Sequence, residues 1–209
     1  MLWSRTSKRH ASLYYLKSME PDYIIESIKR TARELFRQNG YHKTSVNALA
    51  KKAKIAKATV YKYFDSKEMI LHAILMDYLR ASLQDILRTT KYDDDMASFL
   101  AYTILRVSRL TYTACNELIG WEFIRESANA QEYLKMLSED LEFLLLSTFI
   151  QNEKISEAIS EDKLTFLIKS SKSIVFSFAF TAVSDADVRK NFISFQKEIL
   201  PYLVQATVL

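Results

Sequence analysis

The chain has 209 residues, 49% of them hydrophobic and 26% charged, with a formal net charge of +4. That length supports one large domain or two small ones with a full core. No uninterrupted apolar run approaches the ~20 residues of a membrane span, and a single cysteine, Cys115, excludes an internal disulfide.

Gly40 and Gly120, with Pro21 and Pro201, are the only helix breakers of their kind. So few leave little material for hairpins or flexible linkers. Apolar residues recur at helical spacing, and the fold is expected to be all-α. Charge is unevenly placed. Residues 1–67 hold 15 basic and 5 acidic side chains, a net +10, whereas residues 68–209 carry a net −6. A polyanionic partner is therefore expected at the front half only.

Residues 1–18 carry Arg5, Lys8, Arg9 and Lys17 and no acid. They read either as a basic arm for that polyanion or as sequence upstream of a start at Met19. They lack the apolar stretch of a signal peptide, and the chain is expected to be soluble and cytoplasmic. A first helix is expected from Pro21, suited to the first helical position, to Asn39. Its apolar stripe is Ile24, Ile28, Leu35 and Phe36, and Gly40 supplies the left-handed stop. A second opens after Thr44 or Ser45, either of which can cap it, and runs to about Ala53. A third covers about Lys57–Phe64. Asp65-Ser66-Lys67-Glu68 is a capping-box pattern opening a fourth that ends near Thr89. Further helices are expected over 94–112, 116–127, 130–154, 160–183 and 184–205. The division is a basic arm (1–18), a three-helix unit (19–66) and a larger helical unit (67–209).

Residues 40–68 hold the informative chemistry. Two short helices on a tight turn must bury a seam, here Val46, Leu49, Ala50, Ile55 and Val60 against Leu35 and Phe36. Lys57, Thr59, Tyr61 and Lys62 are left for the outer face of the third helix. Lysines neutralise phosphates and release counterions, and a lysine early in that helix can reach guanine acceptors. Thr59 and Tyr61 can donate to phosphate, and Ala58 or Thr59 can touch a thymine methyl. Lys67 opens the fourth helix, where backbone N–H groups also favour phosphate. The pattern is that of a helix-turn-helix reader of double-stranded DNA.

This stretch resembles the DNA-binding domain of TetR-family transcriptional regulators. The matching residues are Ala32-Arg33-Glu34-Leu35-Phe36, Gly40-Tyr41, Thr44-Ser45, Leu49-Ala50, Ala53, Lys57-Ala58-Thr59-Val60-Tyr61, Tyr63-Phe64 and Ser66-Lys67-Glu68. The resemblance implies that Thr44 and Ser45 cap the second helix against a phosphate and that Asn47 meets DNA from its outward side. Lys57, Thr59, Tyr61 and Lys62 fall on recognition-helix contacts, and Lys67 on a phosphate contact. Two positions depart from the family pattern. Lys54 stands where the turn usually has Gly, and Ala56 where the third helix usually has a Ser cap.

In the back half, the eighth and ninth expected helices are apolar on two sides, which demands two partners. The residues expected at a subunit interface are Leu167, Ser171, Val175, Phe178, Phe192, Phe195 and Ile199. Ser170, Ser173 and Ser177 form a small-residue stripe suited to close helix approach. The resemblance implies a homodimer and hence a near-palindromic operator; a thick monomeric core is the alternative. Tyr78, Phe99, Thr103, Trp121 and Phe143 are candidates for lining a small-molecule effector pocket, though ordinary core would use the same residue types. Arg106, Arg109, Glu117, Glu122 and Arg125 either orient a polar effector or are surface charges. Cys115 reads as a small core hydrophobe or as a redox sensor. The three histidines show no metal spacing, and no nucleophile triad or phosphate loop stands out. No catalysis, cofactor or metal is expected. The reading is a ligand-responsive regulator, with a regulator lacking an effector and a small all-α enzyme as alternatives.

Overall fold

The computed structural model describes residues 21–90, 95–118 and 128–209, and every regular element among them is helical. In chain order these are α1 (Pro21–Asn39), α2 (Val46–Lys52), α3 (Lys57–Tyr63), α4 (Lys67–Thr89), α5 (Met96–Leu118), α6 (Ala128–Ile150), α7 (Glu153–Ala158), α8 (Glu161–Thr181), α9 (Asp185–Ser194) and α10 (Leu200–Val208). The chain divides into two compact units, one ending at Ile74 and one running from Leu75 to Leu209. The helix α4 is continuous across that division.

In the first unit, α1 packs on α2 and α2 on α3. Ile28, Ala32, Leu49 and Val60 are fully buried between them. The chain reverses after α1 through Gly40, whose φ of 81° lies in the left-handed region and whose N–H donates to the Phe36 carbonyl. That single bond closes the helix end. Between α2 and α3 the same job falls to Lys54, at φ 57°. Lys54 N–H reaches Lys51 O (3.2 Å) and Ile55 N–H reaches Ala50 O (3.0 Å). This is the paired closure of a Schellman turn, made with a lysine where a glycine costs least. Ala56 then stands at the α3 N-cap with no side-chain bond, whereas Ser45 caps α2 by accepting from Ala48 N–H (3.1 Å).

Both departures noted in the sequence therefore have a structural address. Lys54→Gly relieves a left-handed penalty of ~1–2 kcal/mol, less the ~0.4–1 kcal/mol of extra freedom that Gly gives the unfolded chain. Ala56→Ser supplies a missing cap worth ~0.5–2 kcal/mol. The double variant is expected to slow amide hydrogen exchange across the α2–α3 turn by about tenfold, some 1.4 kcal/mol of local stability. Exchange that stays the same or quickens would show that neither position carries strain.

In the second unit, α8 packs against α5, α6 and α10, and α10 also packs on α5. Tyr112, Phe178, Phe192 and Phe195 meet edge to face, with ring centres 5.2–6.5 Å apart, the favoured aromatic geometry. Cys115 is fully buried, and burial pushes its thiol up to about 12. It is packed as a hydrophobe and holds almost no thiolate at neutral pH.

Three expected boundaries differ. The break expected near 113–115 is absent, because α5 runs unbroken to Leu118; Thr113-Ala114-Cys115 contains neither Gly nor Pro, so nothing local stops it. Most of the helix expected over 116–127 lies outside the described residues. The helix expected to reach Lys154 stops at Ile150, and Asn152 caps the short α7 by accepting from Ile155 N–H (3.3 Å). The last helix is interrupted by a π turn, Phe195–Ile199, in which Leu200 N–H donates to Phe195 O. Pro201 has no N–H for the carbonyl one α-turn back, and the widened turn absorbs that loss.

Candidate nucleic-acid interface and core cavity

On the paired helices and the loops beside them, Lys43, Lys51, Lys54, Lys57 and Lys62 are all exposed, and none has an acidic partner within 4.0 Å among the described residues. Unpaired ammonium groups clustered on two short helices suit a phosphate backbone. Lys57 Nζ lies 5.6 Å from the Tyr61 ring centre and Lys62 Nζ 5.5 Å from that of Tyr63. These contacts hold two flexible cations near aromatic faces. Ser45, Asn47, Ala58 and Tyr61 are also exposed, and Thr59 is half-buried. Lys52 differs from its neighbours: it pairs with Glu34 at 3.0 Å and ties α2 to α1.

Two residues expected to touch phosphate are placed otherwise. Thr44 is 3% exposed, and its hydroxyl donates inward to the Gly40 carbonyl (2.9 Å), with the Leu35 carbonyl at 3.3 Å. It fastens the α1–α2 loop instead of facing solvent. Lys67 Nζ donates to the Tyr41 and Thr44 carbonyls (3.0 and 3.1 Å) and sits 4.1 Å from the Tyr41 ring centre. The Tyr41 hydroxyl donates to Glu68 Oε1 at 2.6 Å. Burial, with the hydrogen bond and charge of Glu68, pushes the Tyr41 phenol far up. Burial alone would raise the Glu68 carboxyl, but the bonds from Tyr41 and Ser66 hold it below the usual carboxylate range. Desolvation lowers Lys67, opposed by the Glu68 charge. Sequence reading found Tyr41, Lys67 and Glu68 as pattern residues but not their mutual bonds, which depend on the loop geometry.

In the second unit, α5, α6 and α8 enclose a cavity of about 20 Å³, a little more than the ~10–15 Å³ one water needs. Ile104, Val107, Ser108 and Thr111 face it from α5 and Leu141 and Leu145 from α6, while α8 contributes Ile168, Ser171, Lys172, Val175 and Phe176. On each helix these positions recur at helical spacing, so one stripe per helix builds the wall. Lys172 Nζ donates to Glu142 Oε2 at 2.7 Å, with the Ser138 carbonyl at 3.4 Å. Burial would raise the Glu142 carboxyl, but bonds and charges from Lys172 and Lys169 hold it below the usual range.

The expected pocket residues are dispersed. Tyr78 and Phe143 are 46% and 73% exposed and do not line the cavity, because each lies on the outward side of an amphipathic helix. Phe99 and Thr103 are buried but outside the lining, and Trp121 lies outside the described residues. The expected interface residues are also displaced. Leu167, Ser171, Val175, Phe178, Phe192 and Phe195 are buried in the chain's own core, and Ile199 is half-buried. The outward side of α8 is instead Phe166, Ser173, Ser177 and Phe180. Among the described residues no group of three or more His, Cys, Asp or Glu can hold a metal, and no helix is long and apolar enough to cross a membrane.

Residues 28–74 match the family described as bacterial regulatory proteins, tetR family. The chain is 41% identical over 73 residues to the uncharacterized HTH-type transcriptional regulator YuxN of Bacillus subtilis (strain 168), covering 34% of this chain and 25% of that protein. It is 41% identical over 49 residues to the HTH-type transcriptional regulator UidR of Escherichia coli (strain K12), covering 23% and 25%. The chain thus spans about a quarter of the length of the curated relatives it matches. The TetR family repressor AlkX from Dietzia sp. has a similar fold, with a TM-score of 0.58 at 16% identity over 91% of this chain and 98% of that one. The sequence match to the tetR family of bacterial regulatory proteins falls on the helix-turn-helix, residues 28–74, and the fold likeness runs over nearly the whole chain.

Proposed function

We propose that the chain is a dimeric transcriptional repressor whose affinity for a near-palindromic operator falls when a small molecule binds its second unit. The observation that carries this reading is the set of unpaired lysines around α2 and α3, with Ser45, Asn47 and Tyr61 exposed among them. The effector site would open among α5, α6 and α8, where the cavity now has room for about one water. Arg106 of α5, on the helix that forms one cavity wall, donates to Thr89 Oγ1 at the end of α4 (3.4 Å). In this reading a shift of α4 changes the separation of the two α3 helices of the dimer. The effector acts only by its different affinity for the two arrangements.

Genomic fragments recovered by the purified protein at moderate salt and then sequenced are expected to share a few near-palindromic sites. On such a site, the Lys57→Ala, Lys62→Ala double variant is expected to bind at least tenfold more weakly. Its plot of log affinity against log salt should be shallower by about 2, one for each lost phosphate contact. Recovery without a shared site, or unchanged affinity in the double variant, would refute the reading.

A further inference from the structure

The outward side of α1 is a second cationic face. Arg30, Arg33 and Arg37 are all exposed and stand three and four residues apart, which puts them on one line of the helix. That line lies opposite the buried side formed by Ile28, Ala32 and Leu35. It is therefore turned away from α2, on which α1 packs. None of the three has a carboxylate within 4.0 Å among the described residues. Glu26 stands on the same line one turn earlier, but its carboxylate is paired with Lys29.

This arrangement is unfavourable for the helix by itself, because like charges three and four residues apart repel. Arg37 is partly compensated, since a cation in the last turn faces the negative end of the helix. Arg30 and Arg33 lie farther back, where that field has faded. An anion laid along the line would relieve the repulsion of all three.

The residue types narrow the anion. Every exposed cation on α1 is an arginine, whereas every Lys or Arg over residues 41–63 is a lysine. A guanidinium grips a phosphate through two parallel N–H bonds, and an ammonium acts as a point charge. Arg30 and Arg37 are ~10 Å apart along the helix axis, close to the span of about three phosphate steps along one DNA strand. A protein partner would instead use an apolar anchor at the centre of the contact. Tyr23 is the one exposed large apolar side chain on α1, and it lies in the first turn, at the end of the line.

We propose that the Arg30–Arg33–Arg37 line binds the phosphates of a second DNA segment, separate from the one held by the lysines around α2 and α3. The inference rests on that lysine face as the first DNA site, and it makes the chain a bridge between two duplexes.

The test fixes a random-sequence duplex to beads, loads it with the purified full-length protein and adds a second, fluorescent random-sequence duplex at low salt. Affinity for a single duplex is measured in parallel by anisotropy. The Arg30→Gln, Arg33→Gln, Arg37→Gln triple variant keeps good helix formers at three exposed positions, and circular dichroism reports that it stays helical. It is expected to hold the first duplex within about twofold of the parent chain but to capture at least tenfold less of the second. The plot of log capture against log salt should be shallower by about 3, one for each lost phosphate contact. Undiminished capture in the triple variant would overturn the proposal and assign the bridging to the two α3 faces of a dimer. Equal losses for both duplexes would overturn it too, by placing the arginines on the duplex that α3 holds. So would displacement of the second duplex by polyglutamate as effectively as by unlabelled DNA, which would make an acidic protein the ligand. A parent chain that holds the first duplex but captures no second one loses this inference alone. One that holds neither loses the lysine face as a DNA site, and the regulatory reading with it.

Discussion

Replacing Lys67 with methionine is expected to loosen the first unit by about 2–3 kcal/mol and to weaken binding to all DNA sequences alike, without making the salt dependence shallower. Methionine keeps the length and apolar stem of the lysine while removing its charge. What is lost is specific: the donors to the Tyr41 and Thr44 carbonyls, at 3.0 and 3.1 Å, and the cation over the Tyr41 ring. Those carbonyls close the loop that leads from α1 into α2, and each costs ~1–3 kcal/mol if left without a donor. A phosphate contact would behave differently. Its loss would reduce the salt slope by about 1 and leave the fold untouched. Hydrogen exchange across residues 40–46, together with fluorescence anisotropy on DNA at several salt concentrations, separates the two. A reduced slope with unchanged exchange would return Lys67 to the phosphate contacts. The neighbouring Glu68 adds a pH dependence of known sign. Its carboxyl is held below the usual range in the folded chain, so its contribution is present above that range and is lost as pH falls through the lowered value.

The first unit was legible in the sequence because its signals are local. Pro21, Gly40, Ser45 and the Asp65–Glu68 box each act within one helical turn, and α1 to α4 lie where they place them. Even the departures were readable. A lysine in a glycine position predicts a left-handed lysine, and Lys54 adopts φ 57°. The inward bonds of Thr44 and Lys67, two residues expected at phosphate, share one cause. Both are polar residues at helix starts, and only the path of the α1–α2 loop decides that they turn inward. The second unit was read less well for a related reason. On α8, periodicity identifies two apolar sides but cannot say which meets the chain's own core. The structure gives the aliphatic side, Leu164, Leu167, Ile168 and Val175, to that core. The cavity among α5, α6 and α8 escaped notice because its polar markers are serines and a threonine set into otherwise apolar stripes, a weaker signal than the aromatic residues that drew attention to Tyr78 and Phe143.

The same division of α8 yields the second large effect. Phe166, Ser170, Ser173, Ser177 and Phe180 follow one another at alternating steps of four and three residues, a single stripe along the helix. All but the half-buried Ser170 are exposed. Small residues between two phenylalanines let a second helix approach closely at the centre and bury rings at both ends. A Ser173→Glu, Ser177→Glu double variant places two carboxylates on that line. In a paired state they would be desolvated against the partner without a cation opposite, a cost that pairing cannot offset. If two copies pair through α8, the parent chain is expected to run as a dimer in light scattering and the variant as a monomer at the same concentration. Its helical content should be unchanged, because neither side chain enters the protomer core. Operator affinity is expected to fall ~10²–10⁴-fold, since one helix-turn-helix then holds one half-site without the effective concentration supplied by its linked twin. If the variant remains dimeric, α8 is not the pairing helix and the exposed Ile193 and Tyr202 on the last two helices become the surface to alter. If it is monomeric yet binds the operator as tightly as before, each protomer recognises its site alone, and effector control through the spacing of two α3 helices has no physical basis in this chain.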